Sequence, residues 1–301
     1  MTHTPAPRRM GLLANPSAGR RGAGPLATEV AALLRRDGHT VVDLSAPDLQ
    51  TARDRAATAI AGGEIDVLAA MGGDGTIHHA ANLCAQTPVA LALIAMGTGN
   101  DNARHLGIPG RDAGAVARFL ARAPERSIDL GRVVTEGRER WFVGVLGAGF
   151  DTKVNDRGKT LTRLHGTPRY LAAVALELRT FTGLEYAVTV DGQRVDTTAM
   201  LVAVGNGPDF GGGMKVCPDA KVDDGLLDVL ILHRVSRVEF LSVFPRVFTG
   251  SHVKHPKVQI LRGTEVHLDS PGIRSQADGE DFLPLPLTVE SVPAALTILS
   301  R

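Results

Sequence analysis

Short apolar runs alternate with amphipathic stretches through the first third of the chain. Met10 to Ala14 reads as a strand. Pro25 to Arg36 follows as a helix with Leu26, Val30, Leu33 and Leu34 on one face. Pro25 stands at a permitted first-turn position and Gly38 supplies a stop. His39 to Leu44 predicts a second strand, and Asp48 to Ala61 a second helix closed by Gly62-Gly63. Val67 to Met71 is apolar throughout, as suits a strand buried on both faces. After a glycine-rich turn, Ile77, Ala80, Ala81 and Cys84 recur at helical spacing, and Val89 to Ala95 predicts a fourth strand. Strands alternating with helices imply a parallel sheet with right-handed crossovers.

The pattern changes near residue 127. Trp141 to Leu146, Tyr186 to Val190, Thr198 to Val204, Leu226 to Leu232 and Val258 to Leu268 read as strands, with Asp191-Gly192 as a hairpin turn. Only Leu171 to Leu178 and Val238 to Phe248 read as helices, the second disturbed by Pro245. We therefore expect an α/β domain over 1–127, a β-rich domain over 128–290, and an apolar tail, Ala294 to Ser300, that returns to the first.

Bulk composition narrows the class. The chain has 301 residues, 44% hydrophobic and 22% charged, with a net charge of +1. That balance fits a globular protein and gives no electrostatic case for a nucleic-acid binder. Two cysteines, Cys84 and Cys217, form no disulfide framework or zinc spacing, as expected in a reducing cytoplasm. The first residues lack the apolar core of a signal peptide. The apolar run in PVALALIAMG is far shorter than the roughly 18 residues of a membrane span, so a membrane role would be peripheral.

Chemistry gathers at the strand ends, where parallel sheets bind ligands. MGGDGTIHH, 71–79, carries glycines at 72, 73 and 75, which admit positive φ and let a ligand reach the backbone. Thr76 is a candidate N-cap, and free N–H groups at the helix start favour an anion. Asp74 beside a phosphate needs Mg²⁺ or a transferable proton between them. The ends of the first and fourth strands carry NPSAGRRGAG, 15–24, and MGTGNDNAR, 96–104. Arg20 and Arg21 suit phosphate oxygens. Asp101 is either a second carboxylate for hydrated Mg²⁺ or an N-cap of a helix starting near Asn102. Neither turn is a Walker loop or a full dinucleotide fingerprint.

Five motifs stand in an order that resembles the diacylglycerol kinase catalytic-domain family: NPSAG at 15–19, GGDGT at 72–76, GTGND at 97–101, DDGLLD at 223–228 and DGE at 278–280. GGDGT alone is shared with NAD kinases; the five together are far more specific. The chain is similar to the family's soluble bacterial lipid kinases over nearly its whole length. The resemblance implies a Rossmann-like first domain, a sandwich-like second domain, and ATP in the cleft between them. It implies nucleotide contacts from Asn15, Pro16, Ser17, Ala18, Gly19 and Ser45, and from Gly72, Gly73, Asp74, Gly75, Thr76, Ile77, His78 and His79. Gly97, Thr98 and Asn100 complete the set. Asp74 and Asp101 would organise catalytic Mg²⁺ through water. Glu280 would accept the proton of the lipid hydroxyl, with Asp278 the next candidate. A structural metal would take Asp224 and the backbone oxygens of Lys221 and Leu226. The activity implied is transfer of the γ-phosphate of ATP to a diacylglycerol-like lipid, a step of phospholipid metabolism. The protein would be cytoplasmic and peripheral at the inner membrane face, with a homodimer allowed.

The family pattern places a glutamate two residues beyond GGDGT; here the position is His79. It would replace the glutamate's contact to the nucleotide or a neighbouring loop. As a metal pair His78 and His79 are disfavoured, because adjacent helical residues face different ways. The 152–169 segment reads as a loop carrying Lys153, Arg157, Lys159, Arg163 and Arg169 against Asp156, a charge that suits anionic lipid. Two other classes remain: a soluble-substrate kinase of the NAD kinase type, and a nucleotide-binding regulator without turnover.

Overall fold

The computed structural model describes residues 6–15, 22–97, 99–135, 137–161, 164 and 166–300, with main chain only at 166–168, 170 and 171. Of the expected site residues, Pro16, Ser17, Ala18, Gly19 and Thr98 lie outside the described residues, as do Arg20, Arg21 and Arg163. The chain divides into two compact units, 1–130 with 293–301, and 131–292.

The first unit runs β1 (Arg9–Ala14), α1 (Gly24–Arg36), β2 (Thr40–Asp43), α2 (Leu49–Ala61), β3 (Val67–Gly72), α3 (Asp74–Cys84), β4 (Ala90–Ala95), α4 (Asp101–Leu106), β5 (Ile108–Pro109) and α5 (Ala113–Arg122), entering β6 (Glu125–Thr135). The strands lie parallel in the order β2-β1-β3-β4. Because successive residues of a strand face opposite sides, the inner strands β1, β3 and β4 must be apolar on both, whereas the edge strand β2 has no buried residue. Met10, Leu12, Val67, Ala69, Met71, Ala92 and Ile94 meet Val30 and Leu34 of α1 and Val116 and Leu120 of α5. Leu13, Leu68, Ala70, Leu91 and Leu93 are equally buried. The chain's end adds Leu299 to this core and pairs Ile298 with Leu91 of β4.

The second unit continues with β7 (Arg138–Phe142), β8 (Val145–Gly149), α6 (Phe150–Thr160), α7 (Gly166–Leu178), β9 (Leu184–Val190), β10 (Gln193–Gly205), β11 (Leu227–His233), α8 (Arg237–Val243), β12 (Val258–Gly263), β13 (Glu265–Asp269), β14 (Arg274–Ala277), β15 (Glu280–Pro284) and β16 (Leu287–Leu299), the last leading back to the first unit. Its pairings among these strands are antiparallel. The long β10 pairs β9 with its first half and β8 with its second, while β11 covers its other edge. One core lies around Phe142, Val188, Val202, Val229 and Leu268. A second lies where α6, α7 and α8 cover Val145, Ala203 and Leu230.

The α/β and β-rich halves agree with the sequence reading, and the differences have local causes. Trp141 to Leu146 is two strands, because the N–H groups of Val143 and Gly144 turn to the Asp278 carboxylate, at 3.0 and 2.7 Å. Val258 to Leu268 is likewise broken at Thr264, whose N–H is drawn to Asp191. The 152–169 segment is no loop. Most of it is helix α6 and the start of α7, with Phe150, Val154 and Gly158 on the buried face of α6. Thr76 does not cap α3; Gly73 stands at the cap and Thr76 lies inside the first turn. Asp101 is the first residue of α4 rather than its cap, which is Asn100 at φ 56°. Pro245 ends α8 as expected, and Phe244–Phe248 tightens into a 3₁₀ turn.

Candidate active site

In the first unit the strand ends are tied edge to edge. Asn15 N–H donates to Met71 O at 3.1 Å, and Met96 N–H donates to Gly72 O at 2.8 Å. The Asn15 side-chain amide reaches Thr76 Oγ1 at 3.2 Å. Ser45, at the end of β2, accepts from Ala14 N–H at 3.1 Å. Four candidate nucleotide contacts, Asn15, Ser45, Gly72 and Thr76, therefore come together at one sheet edge.

Asp74 locks the third strand's turn to the fourth's. Its Oδ2 accepts Asn100 N–H and its Oδ1 accepts Asp101 N–H, each at 2.8 Å. Asn100, in the left-handed region, both accepts from Gly97 N–H at 2.8 Å and donates to Gly97 O at 2.7 Å. Glycine is required here: a Cβ at Gly97 would lie 2.6 Å from Gly73 Cα, and one at Gly99 2.6 Å from Asp74 Oδ2. Asp101 is buried, with Arg104 3.7 Å from its Oδ1. Two hard carboxylates beside bare glycine backbone fit a water-bridged Mg²⁺.

Ile77 is fully buried with its N–H taken by Gly73 O, and His78 is buried as well. His79 is half-buried, and its ring meets His78 edge-on at a centroid distance of 5.5 Å. Among the described residues no three histidine, cysteine or acidic side chains come together as a metal cage. Both cysteines are buried, and burial pushes the Cys84 thiol up to about 12, so neither is a nucleophile at neutral pH.

In the second unit the DGE motif is the turn of the β14–β15 hairpin. Asp278 and Gly279 stand at φ 52° and 84°. Asp278 is buried, clamps the 143–144 turn through its carboxylate, and donates its own N–H to Val145 O at 3.1 Å. Glu280 opens β15 with a half-exposed side chain. Next to it, Asp281 holds Lys159 of α6 at 2.9 and 2.8 Å, which keeps the Asp281 carboxyl low.

The face of β8 behind this turn opens on a cavity that the sequence reading missed. It spans about 730 Å³ of open space including its mouth, and Val145, Leu201, Val216, Leu230, Phe240 and Val247 contribute to a mostly apolar wall. Its titratable wall groups are His252, bound to Val216 O at 3.0 Å, and Asp151. The Asp151 carboxyl oxygens are cut off from solvent and meet no aligned donor among the described residues, although the residue keeps some exposed surface. Burial pushes this acid up to about 7, with its own N–H and that of Thr152 pulling it partway back. The one sequence signal was an aspartate placed directly after the apolar run VLGAGF.

An acid raised by folding keeps its proton in the native state, so stability falls as pH climbs from about 4 through 7. Asp151→Asn is therefore expected to be near-neutral at pH 4 and stabilising above pH 8, by up to about 4 kcal/mol at 1.36 kcal/mol per pH unit. Urea unfolding at the two pH values checks this; an equal difference at both contradicts it.

At the DDGLLD turn, Asp224 Oδ1 accepts Leu226 N–H at 3.1 Å, while its Oδ2 takes Arg262 Nη2 at 2.6 Å. Arg262 also approaches Asp228, whose carboxyl is raised by burial. A divalent ion on Asp224 with the Lys221 and Leu226 carbonyls would compete with that guanidinium. If the ion wins, Asp224→Ala loses the rise in melting temperature that Mg²⁺ gives the parent. Equal Mg²⁺ stabilisation of both proteins contradicts the site.

Two family models match the chain: the diacylglycerol kinase catalytic domain over residues 9–133, and the YegS C-terminal NAD kinase beta sandwich-like domain over 144–300. The diacylglycerol kinase of Mycobacterium tuberculosis (strain ATCC 25618 / H37Rv) is 37% identical over 289 residues, covering 95% of this chain and 93% of that one. The diacylglycerol kinase of Bacillus subtilis (strain 168) is 30% identical over 72% of each chain. A crystal structure of a diacylglycerol kinase from Bacillus anthracis str. Sterne shares the fold, with a TM-score of 0.74 at 22% identity over 98% of this chain and 97% of that one.

Proposed function

This chain belongs to the diacylglycerol kinase catalytic-domain family, and we propose that it is an ATP- and Mg²⁺-dependent kinase that phosphorylates the hydroxyl of a diacylglycerol-like lipid. The observation that carries the lipid half is the apolar cavity behind β8. A dinucleotide acceptor such as NAD would need polar partners for its ribose and phosphates, whereas this wall offers mainly hydrocarbon. Val145 links the cavity to the DGE turn, since it lines the cavity and its carbonyl accepts the Asp278 N–H.

Each unit then has a task. In the first, Asn15, Ser45, Thr76 and the backbone of Gly72, Gly73, Gly75 and Gly97 hold ATP, with the loop 16–19 and Thr98 completing the cradle. His79 takes the place of the family's glutamate. Asp74 and Asp101 hold Mg²⁺, which when bound neutralises charge on the phosphoryl oxygens. In the second, the cavity holds acyl chain, Asp278 fixes the turn, and Glu280 takes the proton of the lipid hydroxyl. No helix among the described residues is long and apolar enough to cross a membrane, and on this reading the protein works at the membrane surface from the cytoplasmic side.

The test is to narrow the cavity. Val216→Phe is expected to cut kcat/KM for long-chain diacylglycerol by about 10-fold or more, the scale of a few displaced methylenes. ATP affinity and turnover of a short-chain acceptor should stay within two-fold. Equal loss for both acceptors would contradict acyl binding there.

A further inference from the structure

Helix α8 and the 3₁₀ turn that follows it bury one face and expose another. Phe240 and Val243 point into the core, while Val238 and Leu241, three residues apart on the opposite side, are 80% and 57% exposed. Phe248, at the end of the 3₁₀ turn, is 48% exposed. Large apolar side chains so open to solvent, and grouped on one short element, mark a contact surface. The charge around them has one sign. Residues 234–257 carry Arg234, Arg237, Arg246, Lys254 and Lys257, all exposed, against the single acid Glu239. That acid is already committed to the Ser236 capping box and lies 3.7 Å from His255.

The buried face of the same element is a wall of the lipid cavity, through Phe240, Val243, Phe244 and Val247. A run of phenylalanines joins the two faces: Phe150, beside Asp151, meets Phe240 at 4.8 Å between centroids; Phe240 stacks on Phe244 at 5.8 Å; Phe244 meets the exposed Phe248 at 6.2 Å. Hydrocarbon thus continues from the cavity floor to the surface, where cations surround it.

The basic 152–169 segment is a weaker candidate for membrane contact. There Arg157 is paired with Glu177 and Lys159 with Asp281.

We propose that α8 and its 3₁₀ turn form the seat of this protein on an anionic bilayer, with Val238, Leu241 and Phe248 entering the acyl boundary and the surrounding arginines and lysines at phosphate level. The inference rests on the lipid-kinase reading, because it places the cavity wall at the source of the acceptor. An amphipathic element of this kind gains from apolar insertion and from attraction to anionic headgroups together.

The experiment uses the full chain and vesicles of phosphatidylcholine with about one third phosphatidylglycerol. Val238→Glu with Leu241→Glu is expected to lower vesicle co-sedimentation 10-fold or more and to raise the apparent KM for diacylglycerol in vesicles. Turnover of a dispersed short-chain diacylglycerol and the KM for ATP should stay within two-fold. Arg246→Glu with Lys254→Glu should weaken binding about five-fold per cation removed, an effect lost in pure phosphatidylcholine and in high salt. Co-sedimentation equal to the parent in both double variants overturns the proposal. So does a parent dimer, seen by sedimentation velocity, that Val238→Glu with Leu241→Glu dissociates while vesicle binding is kept. A parent that phosphorylates no short-chain acceptor overturns the kinase reading instead, and co-sedimentation then still decides the seat.

Discussion

Glu280→Gln is expected to lower kcat by about 10²–10⁴-fold, the usual worth of a positioned general base, with the melting temperature and the KM for ATP unchanged. The expectation follows from its place: it opens β15 beside the hairpin turn, half-exposed, in a hairpin whose β14 pairs with β8, and Val145 and Gly147 of β8 line the cavity. Asp278 makes the contrasting variant. Both its oxygens accept backbone N–H groups, from Val143 and Gly144. Asparagine would turn an NH₂ toward one of those donors and leave it unsatisfied, costing about 2–3 kcal/mol. Asp278→Asn should therefore lose stability together with activity, whereas Glu280→Gln loses activity alone. Full activity in Glu280→Gln moves the base to Asp278.

Asp74→Asn is expected to reduce turnover by 10²-fold or more, the scale of a lost preorganised electrostatic contact. The geometry adds a second consequence. Asp74 holds the N–H groups of Asn100 and Asp101 with separate oxygens, so the amide loosens the junction between the two glycine-rich turns. The roles separate in a Mg²⁺ titration. If Asp74 also bears on the metal, the Mg²⁺ concentration for half-maximal rate rises; if it only clamps, kcat falls at an unchanged Mg²⁺ requirement. Global unfolding at 25 °C would contradict both, since the parallel core beneath the turn is fully buried and independent of this side chain.

The parallel half was legible because its inner strands β1, β3 and β4 are buried on both faces and its helices on one, so period and burial agree. β3, apolar at positions 67–71, is buried at every residue. The second half was read less well where side-chain carboxylates redirect backbone donors. The breaks at Val143–Gly144 and Thr264 answer to Asp278 and Asp191, far away in sequence, and no window on the chain shows such a pairing. Helix α6 was missed because its exposed face is densely polar and only Phe150, Val154 and Gly158 mark the buried one. In the candidate site, the turns after β3 and β4 were visible as glycine patterns, but the reason for them, a carboxylate bridging two turns, was not. The cavity was invisible for a different reason: its wall is drawn from β8, β10, β11, α8 and the turns between, each of which reads in isolation as ordinary core.

Transfer of label from γ-³²P-ATP by the purified protein, offered a panel of lipid alcohols in mixed micelles alongside NAD, tests the central claim most directly. Mg²⁺-dependent label in a diacylglycerol-like lipid, with none in NAD, is the result expected. Label in NAD alone, or ATP binding without transfer to any acceptor, would contradict it.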